Sequence, residues 1–261
     1  MSNLNYNNIR NYGLIGYPLS HSFSEKFFTQ EFEIQGINDA QYNNYPIKSI
    51  KELPKLIKET NNLLGLSVTS PYKQQVIQYL DKIHPDAEKA SAVNLIKINR
   101  GATITLEGFN TDIWGFAESL KPQLTNNITS ALILGTGGAA RAVSIALSNL
   151  GINYLFVTRK NTDLAKKMLN YNDVNHSLFS KSKLIVNATP LGMLPNVNSY
   201  PLIDYTMFDT NYLAYDLIYN PEKTLFLKKA EQNNARIING LKMLHSQAKK
   251  AWKILDISNN I

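Results

Sequence analysis

Ala131-Leu132-Ile133-Leu134-Gly135-Thr136-Gly137-Gly138-Ala139-Ala140 is the stretch whose reading decides the fold. Its four leading apolar residues have the length of a buried strand, and G-x-G-x-x-A follows at once. Ala142, Val143, Ala146, Leu147 and Leu150 then recur at helical spacing, and Gly151 stands where a left-handed residue would close the helix. Tyr154-Leu155-Phe156-Val157 supplies a second strand. Strand, glycine turn, helix and strand in this order predict a dinucleotide-binding unit. Gly135 allows the tight turn, Gly137 leaves room for a pyrophosphate against the backbone, and Ala140 lets the helix pack closely on its strand. The helix start offers unpaired N–H groups and a partial positive charge to phosphate. Gly135, Thr136, Gly137, Gly138 and Ala139 are therefore the expected cofactor contacts.

The end of the second strand indicates which dinucleotide. An NAD site places an acid about 20 residues beyond the motif, on the ribose 2′-hydroxyl. Here Thr158-Arg159-Lys160 stands instead. A carboxylate would repel a 2′-phosphate, whereas a guanidinium binds it with paired, charge-assisted hydrogen bonds. The expected cofactor is NADP(H), with Arg159 as the main contact between Thr158 and Lys160. The bland alternative is a solvated basic turn.

Composition narrows the rest. The 261 residues suit one large or two modest domains and contain no cysteine, so disulfides, thiolate metal sites and cysteine nucleophiles are excluded. That usage suits a reducing, cytoplasmic setting. His21, His84, His176 and His245 lack metal-ligand spacing, and no metal is expected. No apolar run approaches the roughly 20 residues of a membrane span. The net charge of +7 comes from scattered residues, which points to anionic small molecules as partners and away from nucleic acid and membranes.

Strand–loop–helix segments repeat along the chain. Residues 12–16 read as a strand and Glu25–Phe32 as a helix; between them Ser20 and Ser22 stand ready to cap that helix or to bind a ligand carboxylate at its start. Asp39–Tyr45 and Gly65–Thr69 read as strands, with a helix over Ile50–Thr60 between them. Ser70-Pro71-Tyr72-Lys73 is expected to open another helix, with Pro71 near its first position. Thr69 and Lys73 thus fall at the C-terminal end of a strand, the edge where open α/β sheets bind ligands, although a lysine there is commonly a surface residue. Ala92–Ile98 reads as a strand holding Asn94, a buried amide that is structural or meets a polyol. Asn110-Thr111-Asp112 resembles a capping cluster before a helix. Further strands are expected at Leu184–Val186, Tyr215–Tyr219 and Arg236–Ile238. A helix is expected over Thr224–Gln232. After Gly240 comes a long helix presenting Leu241, Leu244, Ala248, Ala251 and Leu255 on one face, with Gln247 on its flank.

Taken together, these stretches resemble the shikimate dehydrogenase family. The matches are Gly16-Tyr17-Pro18-Leu19-Ser20-His21-Ser22, Val68-Thr69-Ser70-Pro71-Tyr72-Lys73, Ala92-Val93-Asn94, Gly108-Phe109-Asn110-Thr111-Asp112 and Gly135-Thr136-Gly137-Gly138-Ala139. Asn187-Ala188-Thr189-Pro190-Leu191-Gly192-Met193, Asp216-Leu217-Ile218-Tyr219-Asn220-Pro221 and Gly240-Leu241 with Met243, Leu244 and Gln247 complete the set in family order. The resemblance implies two α/β domains with a cleft between them. A substrate-binding domain would cover residues 1–110 and be rejoined by the last helix, about 241–261, and a Rossmann-like NADP-binding domain would cover 111–240. It implies NADPH-dependent reduction of 3-dehydroshikimate to shikimate, in chorismate and aromatic amino acid biosynthesis, by a monomer or homodimer. In that picture Lys73 and Asp112 form the catalytic pair. Ser20 and Ser22 bind the substrate carboxylate. Thr69, Asn94, Gln247 and Tyr219 complete the substrate site, and Thr189, Ile218 and Gly240 line the cofactor. Ser67, Leu95, Thr158 and Lys160 depart from the residues usual at their places in the family. The rival readings are a quinate/shikimate dehydrogenase, another two-domain NADP enzyme and a non-catalytic NADP-binding protein.

Overall fold

Among the described residues, two six-stranded sheets carry the apolar runs of the chain. The computed structural model describes residues 9–19 and 23–256. The chain divides into two units, residues 1–111 with 248–261 and residues 112–247.

The first unit is built from β1 (Arg10–Gly16), α1 (Phe23–Gln35), β2 (Ala40–Pro46), α2 (Leu53–Glu59), β3 (Leu63–Val68), β4 (Lys82–Ile83), α3 (Pro85–Ala90), β5 (Leu95–Arg100) and β6 (Ile104–Phe109). The strand order is β2-β1-β3-β5-β6-β4. β2, β1 and β3 run parallel, while β5 is antiparallel to both β3 and β6. Alternation along β1 sends Tyr12 and Leu14 to one apolar cluster and Ile15 to another on the opposite face.

The second unit follows with α4 (Thr111–Leu120), β7 (Ser130–Leu134), α5 (Gly138–Asn149), β8 (Asn153–Thr158), β9 (Met168–Asn170), α6 (His176–Lys181), β10 (Leu184–Asn187), β11 (Leu213–Asp216), α7 (Leu225–Gln232), β12 (Arg236–Ile238) and α8 (Leu241–Leu255). Its sheet, β12-β11-β10-β7-β8-β9, is parallel throughout. Counted from β7, the order is that of the Rossmann fold, and it reverses between β7 and β10. Ala131–Leu134 are fully buried, as a central parallel strand covered on both faces requires. Gly151 has φ +73°, and the N–H of Ile152 returns to Leu147 O at 2.9 Å, closing α5 as its sequence predicts.

α8 crosses from residues of the second unit to residues of the first. Within the first unit its Trp252 packs edge-on against Tyr12 at 5.3 Å and against Phe32 at 4.8 Å. Arg10 forks onto Asp39, with Nη2–Oδ1 at 2.7 Å and Nε–Oδ2 at 3.0 Å, and approaches Asp256 at 3.7 Å.

Four local expectations need correction. No α-helix follows Pro71; a turn leads to a 3-10 helix at Gln75–Tyr79. The carbonyl of Lys73 accepts the N–H of Val93 at 2.7 Å, so it is not spent on a helical bond. Tyr72, 3% exposed, is held in the core by donation to Ile47 O at 2.7 Å. Asn94 precedes β5 instead of lying inside it, because its side chain turns to Thr111. β11 stops at Asp216 rather than Tyr219, because the Asp216 side chain takes the N–H of Ile218. On α8, Ala248, Ala251 and Leu255 are buried as periodicity predicts and are joined by Met243 and Trp252, while Leu244 is half-buried and Leu241 is 41% exposed.

Candidate functional site

In the first unit, three strand ends and one strand start meet at a single sheet edge. Thr69 N–H donates to Ile15 O at 3.0 Å, Val68 N–H to Asn94 O at 2.8 Å, and Asn94 N–H to Phe109 O at 3.0 Å. Thr69, Asn94 and Asn110-Thr111 therefore lie side by side although they are far apart in sequence. Lys73 joins them because its carbonyl is pinned to Val93, the neighbour of Asn94. Thr69 and Lys73 are half-buried.

Asn94 is 5% exposed. Its Nδ2 donates to Thr111 Oγ1 at 3.0 Å, and its Oδ1 accepts the N–H of Thr111 at 2.7 Å. Asn110 Nδ2 donates to Ala92 O at 2.9 Å. The amide thus fastens the start of α4 to this edge, which is the structural role the sequence left open. Ser20 and Ser22 lie outside the described residues.

In the second unit the corresponding edge is drawn by register. Leu134 pairs with Val157 on one side and Asn187 on the other, and Asn187 pairs with Asp216. Just beyond these ends stand Gly135, Thr158, Thr189 and Ile218, with Gly240 bonded through its N–H to Ile218 O at 3.1 Å. Gly135 has φ +109°, and a Cβ on it would lie 3.1 Å from Ala188 O. Gly137 begins α5 without a side chain to cap it. A Cβ there would meet nothing within 4 Å among the described residues. That open space over the start of α5, above Thr136, Gly138 and Ala139, fits a pyrophosphate. Gly240 is fixed for a different reason: a Cβ would stand 2.0 Å from Leu217 O.

Thr158 is buried and accepts the N–H of Lys160 at 3.3 Å, shaping the basic turn. Asn170 Nδ2 donates to Lys160 O at 2.9 Å and Arg159 O at 3.4 Å. The Arg159 and Lys160 side chains are exposed. Asn170, from the unforeseen strand β9, is a supporting residue that carries no local signal of its role.

Asp112, 7% exposed, sits in the first turn of α4. One turn on, Gly115 faces α8 so closely that a Cβ would lie 2.8 Å from Gln247 Cβ and from Met243 O. Gln247 and Tyr219 are half-buried, and burial raises the Tyr219 phenol. Gly115 was missed in sequence; its signal was a glycine inside an otherwise strong helix, which usually has a packing reason. Asn187 and Asp216 were also missed, as polar residues closing apolar runs at strand ends.

A model of the shikimate dehydrogenase substrate binding domain matches residues 14–96. The shikimate dehydrogenase (NADP(+)) of Carboxydothermus hydrogenoformans is 38% identical over 258 residues, covering 92% of this chain and 89% of that protein. The chain belongs to the shikimate dehydrogenase family. A solved shikimate 5-dehydrogenase from Thermus thermophilus, in complex with NADP(H) and shikimate, superposes with TM-score 0.83 at 30% identity, covering 95% of this chain and 93% of that one. The Listeria monocytogenes shikimate 5-dehydrogenase, in complex with shikimate and NAD, gives TM-score 0.83 at 29% identity over 95% and 91% of the two chains. Shikimate dehydrogenases thus match both units of this chain. Among its described residues no cluster of His, Asp and Glu is placed to hold a metal, and no helix is long and apolar enough to cross a membrane.

Proposed function

We propose that this protein reduces 3-dehydroshikimate to shikimate with NADPH. The observation that carries the proposal is the gathering of Thr69, Lys73 and Asn94 at one sheet edge, next to the Thr111-Asp112 step, within a chain of this family. Residues 1–110 with the last helix serve the substrate, and 111–240 serve the dinucleotide. Gly135, Thr136, Gly137, Gly138 and Ala139 hold the pyrophosphate, Arg159 with Thr158 and Lys160 holds the 2′-phosphate, and Thr189, Ile218 and Gly240 flank the nicotinamide. The bound cofactor supplies the hydride.

The protein's own task is the charge that develops on the carbonyl oxygen. The Lys73 ammonium stabilises it and delivers the proton, and the Asp112 carboxylate orients that ammonium. Ser20 and Ser22 take the substrate carboxylate, while Thr69, Asn94, Gln247 and Tyr219 hold its ring and hydroxyls.

Absorbance at the nicotinamide band, comparing shikimate with quinate and NADP with NAD, tests the assignment. Shikimate with NADP should be the preferred pair. Lys73→Ala should lower kcat by about 10²-fold or more with a smaller change in KM. Preference for quinate with NAD, or near-normal kcat in the variant, would overturn it.

A further inference from the structure

Asp216 is 0% exposed at the outer end of β11. Its Oδ1 accepts the N–H of Ile218 at 3.0 Å and an amide hydrogen of Asn187 at 3.1 Å, and its Oδ2 accepts the Thr224 hydroxyl at 2.6 Å. Asn187 Oδ1 in turn accepts both the N–H and the hydroxyl of Thr189, at 3.1 and 2.6 Å. Ala188 O and Thr189 Cγ2 form the floor beneath Gly135. Ile218 passes the restraint on, since its carbonyl holds the N–H of Gly240. One carboxylate is therefore bonded, directly or through one further residue, to the three segments that follow β10, β11 and β12.

The donors that bond it are neutral, which makes an ionised Asp216 a costly way to join loops that packing alone could join. A buried carboxylate kept in this form beside a binding edge points to function. We propose that Asp216 is a positioning residue of the dinucleotide site: its ionised form holds Thr189, Ile218 and Gly240 in the arrangement that receives the nicotinamide end of the cofactor, and protonation releases that arrangement. This rests on the cofactor assignment above.

Protonation turns one acceptor oxygen into a donor, so the Thr224 hydroxyl must turn its hydrogen away and accept from the carboxyl in addition to the N–H of Leu227 at 3.4 Å. The groups facing the carboxyl are Asn187 from β10, Thr224 at the start of α7, the Ile218 N–H, and the phenol of Tyr205, itself raised by burial. Burial pushes Asp216 up to about 6, so its charge changes within a range that binding assays cover.

The test is NADPH affinity of the full chain by fluorescence, from pH 5 to 8, for wild type and Asp216→Asn, alongside kcat and shikimate KM. Wild-type affinity should weaken as pH falls through about 6. Asp216→Asn should bind NADPH about tenfold more weakly at pH 8, keep only the pH dependence set by the cofactor's 2′-phosphate, which titrates near about 6, and keep its shikimate KM. Equal affinities with the same pH dependence in the two proteins would overturn the proposal. If the variant does not fold, a flat wild-type profile with NADH, which lacks the 2′-phosphate, overturns it alone. Failure of wild type to bind NADPH at any pH would instead strike the underlying cofactor assignment.

Discussion

Replacing Gly115 by Ala sets helix propensity against packing. Alanine should stabilise α4 by about 1 kcal/mol relative to glycine. The added Cβ, however, would sit 2.8 Å from Gln247 Cβ and Met243 O and 3.0 Å from Gln247 N. Carbon–carbon contacts ordinarily begin near 3.5 Å, so α8 must retreat by about 0.7 Å, the difference between 3.5 and the 2.8 Å observed. None of the three opposing atoms is the end of a flexible chain, and overpacking of this kind costs about 1–3 kcal/mol. Packing should win narrowly, for a net loss of about 1 kcal/mol. Activity should suffer more, because Gln247 is proposed to hold the substrate and misplacing such a group by about 1 Å costs up to 10²-fold. The expected variant thus shows a melting temperature only a few degrees lower, with kcat/KM for shikimate down at least about tenfold, mainly through KM. A variant more stable than wild type, with unchanged KM, would refute this account of α4 and α8.

Arg159→Ala should weaken NADPH binding by about 10- to 100-fold while leaving NADH nearly unaffected; equal losses in a cofactor-swap assay would contradict a 2′-phosphate role. Asp216 also predicts a pH effect on stability. Its folded pKa, about 6, lies above the 3.8 of a free carboxyl, so the favourable contribution is complete below about pH 4 and is lost as pH rises through 6. The difference corresponds to about 3 kcal/mol, and chemical denaturation should show Asp216→Asn gaining on wild type by up to that amount between pH 4 and 7. Ser119 Oγ lies 2.6 Å from the buried Tyr215 hydroxyl. Ser119→Ala should therefore cost about 1–3 kcal/mol, and adding Tyr215→Phe should recover part of it; strict additivity in the double-mutant cycle would show the bond to be idle.

The nucleotide-binding half was legible because its signals are local. Gly135 and Gly151 declare positive φ by their identity, and Ala131–Leu134 declares a strand covered on both faces by its unbroken apolarity. The errors fell where tertiary bonds override local preference. The stretch after Pro71 reads as a helix until Val93 claims the carbonyl of Lys73. Trp252 and Met243 join Ala248, Ala251 and Leu255 on the buried face of α8, while Leu241, read as part of it, is exposed. Asn94 could be read as buried but not as the partner of Thr111, 17 residues away. The Asp216 network was invisible for the same reason, since Asn187 and Asp216 meet only through sheet pairing and Thr224 only through the start of α7.

The split of α8 has a consequence for biosynthesis. Residues 112–247 form a continuous stretch, so every part of that unit has been synthesised before residue 248 is added. The aromatic cluster of Tyr12, Phe28 and Phe32 must wait for Trp252, made after the whole second unit, to close it. The amino-terminal portion of this chain is thus the last to be completed, and a nascent protein halted at residue 247 would expose apolar rings to which chaperones bind.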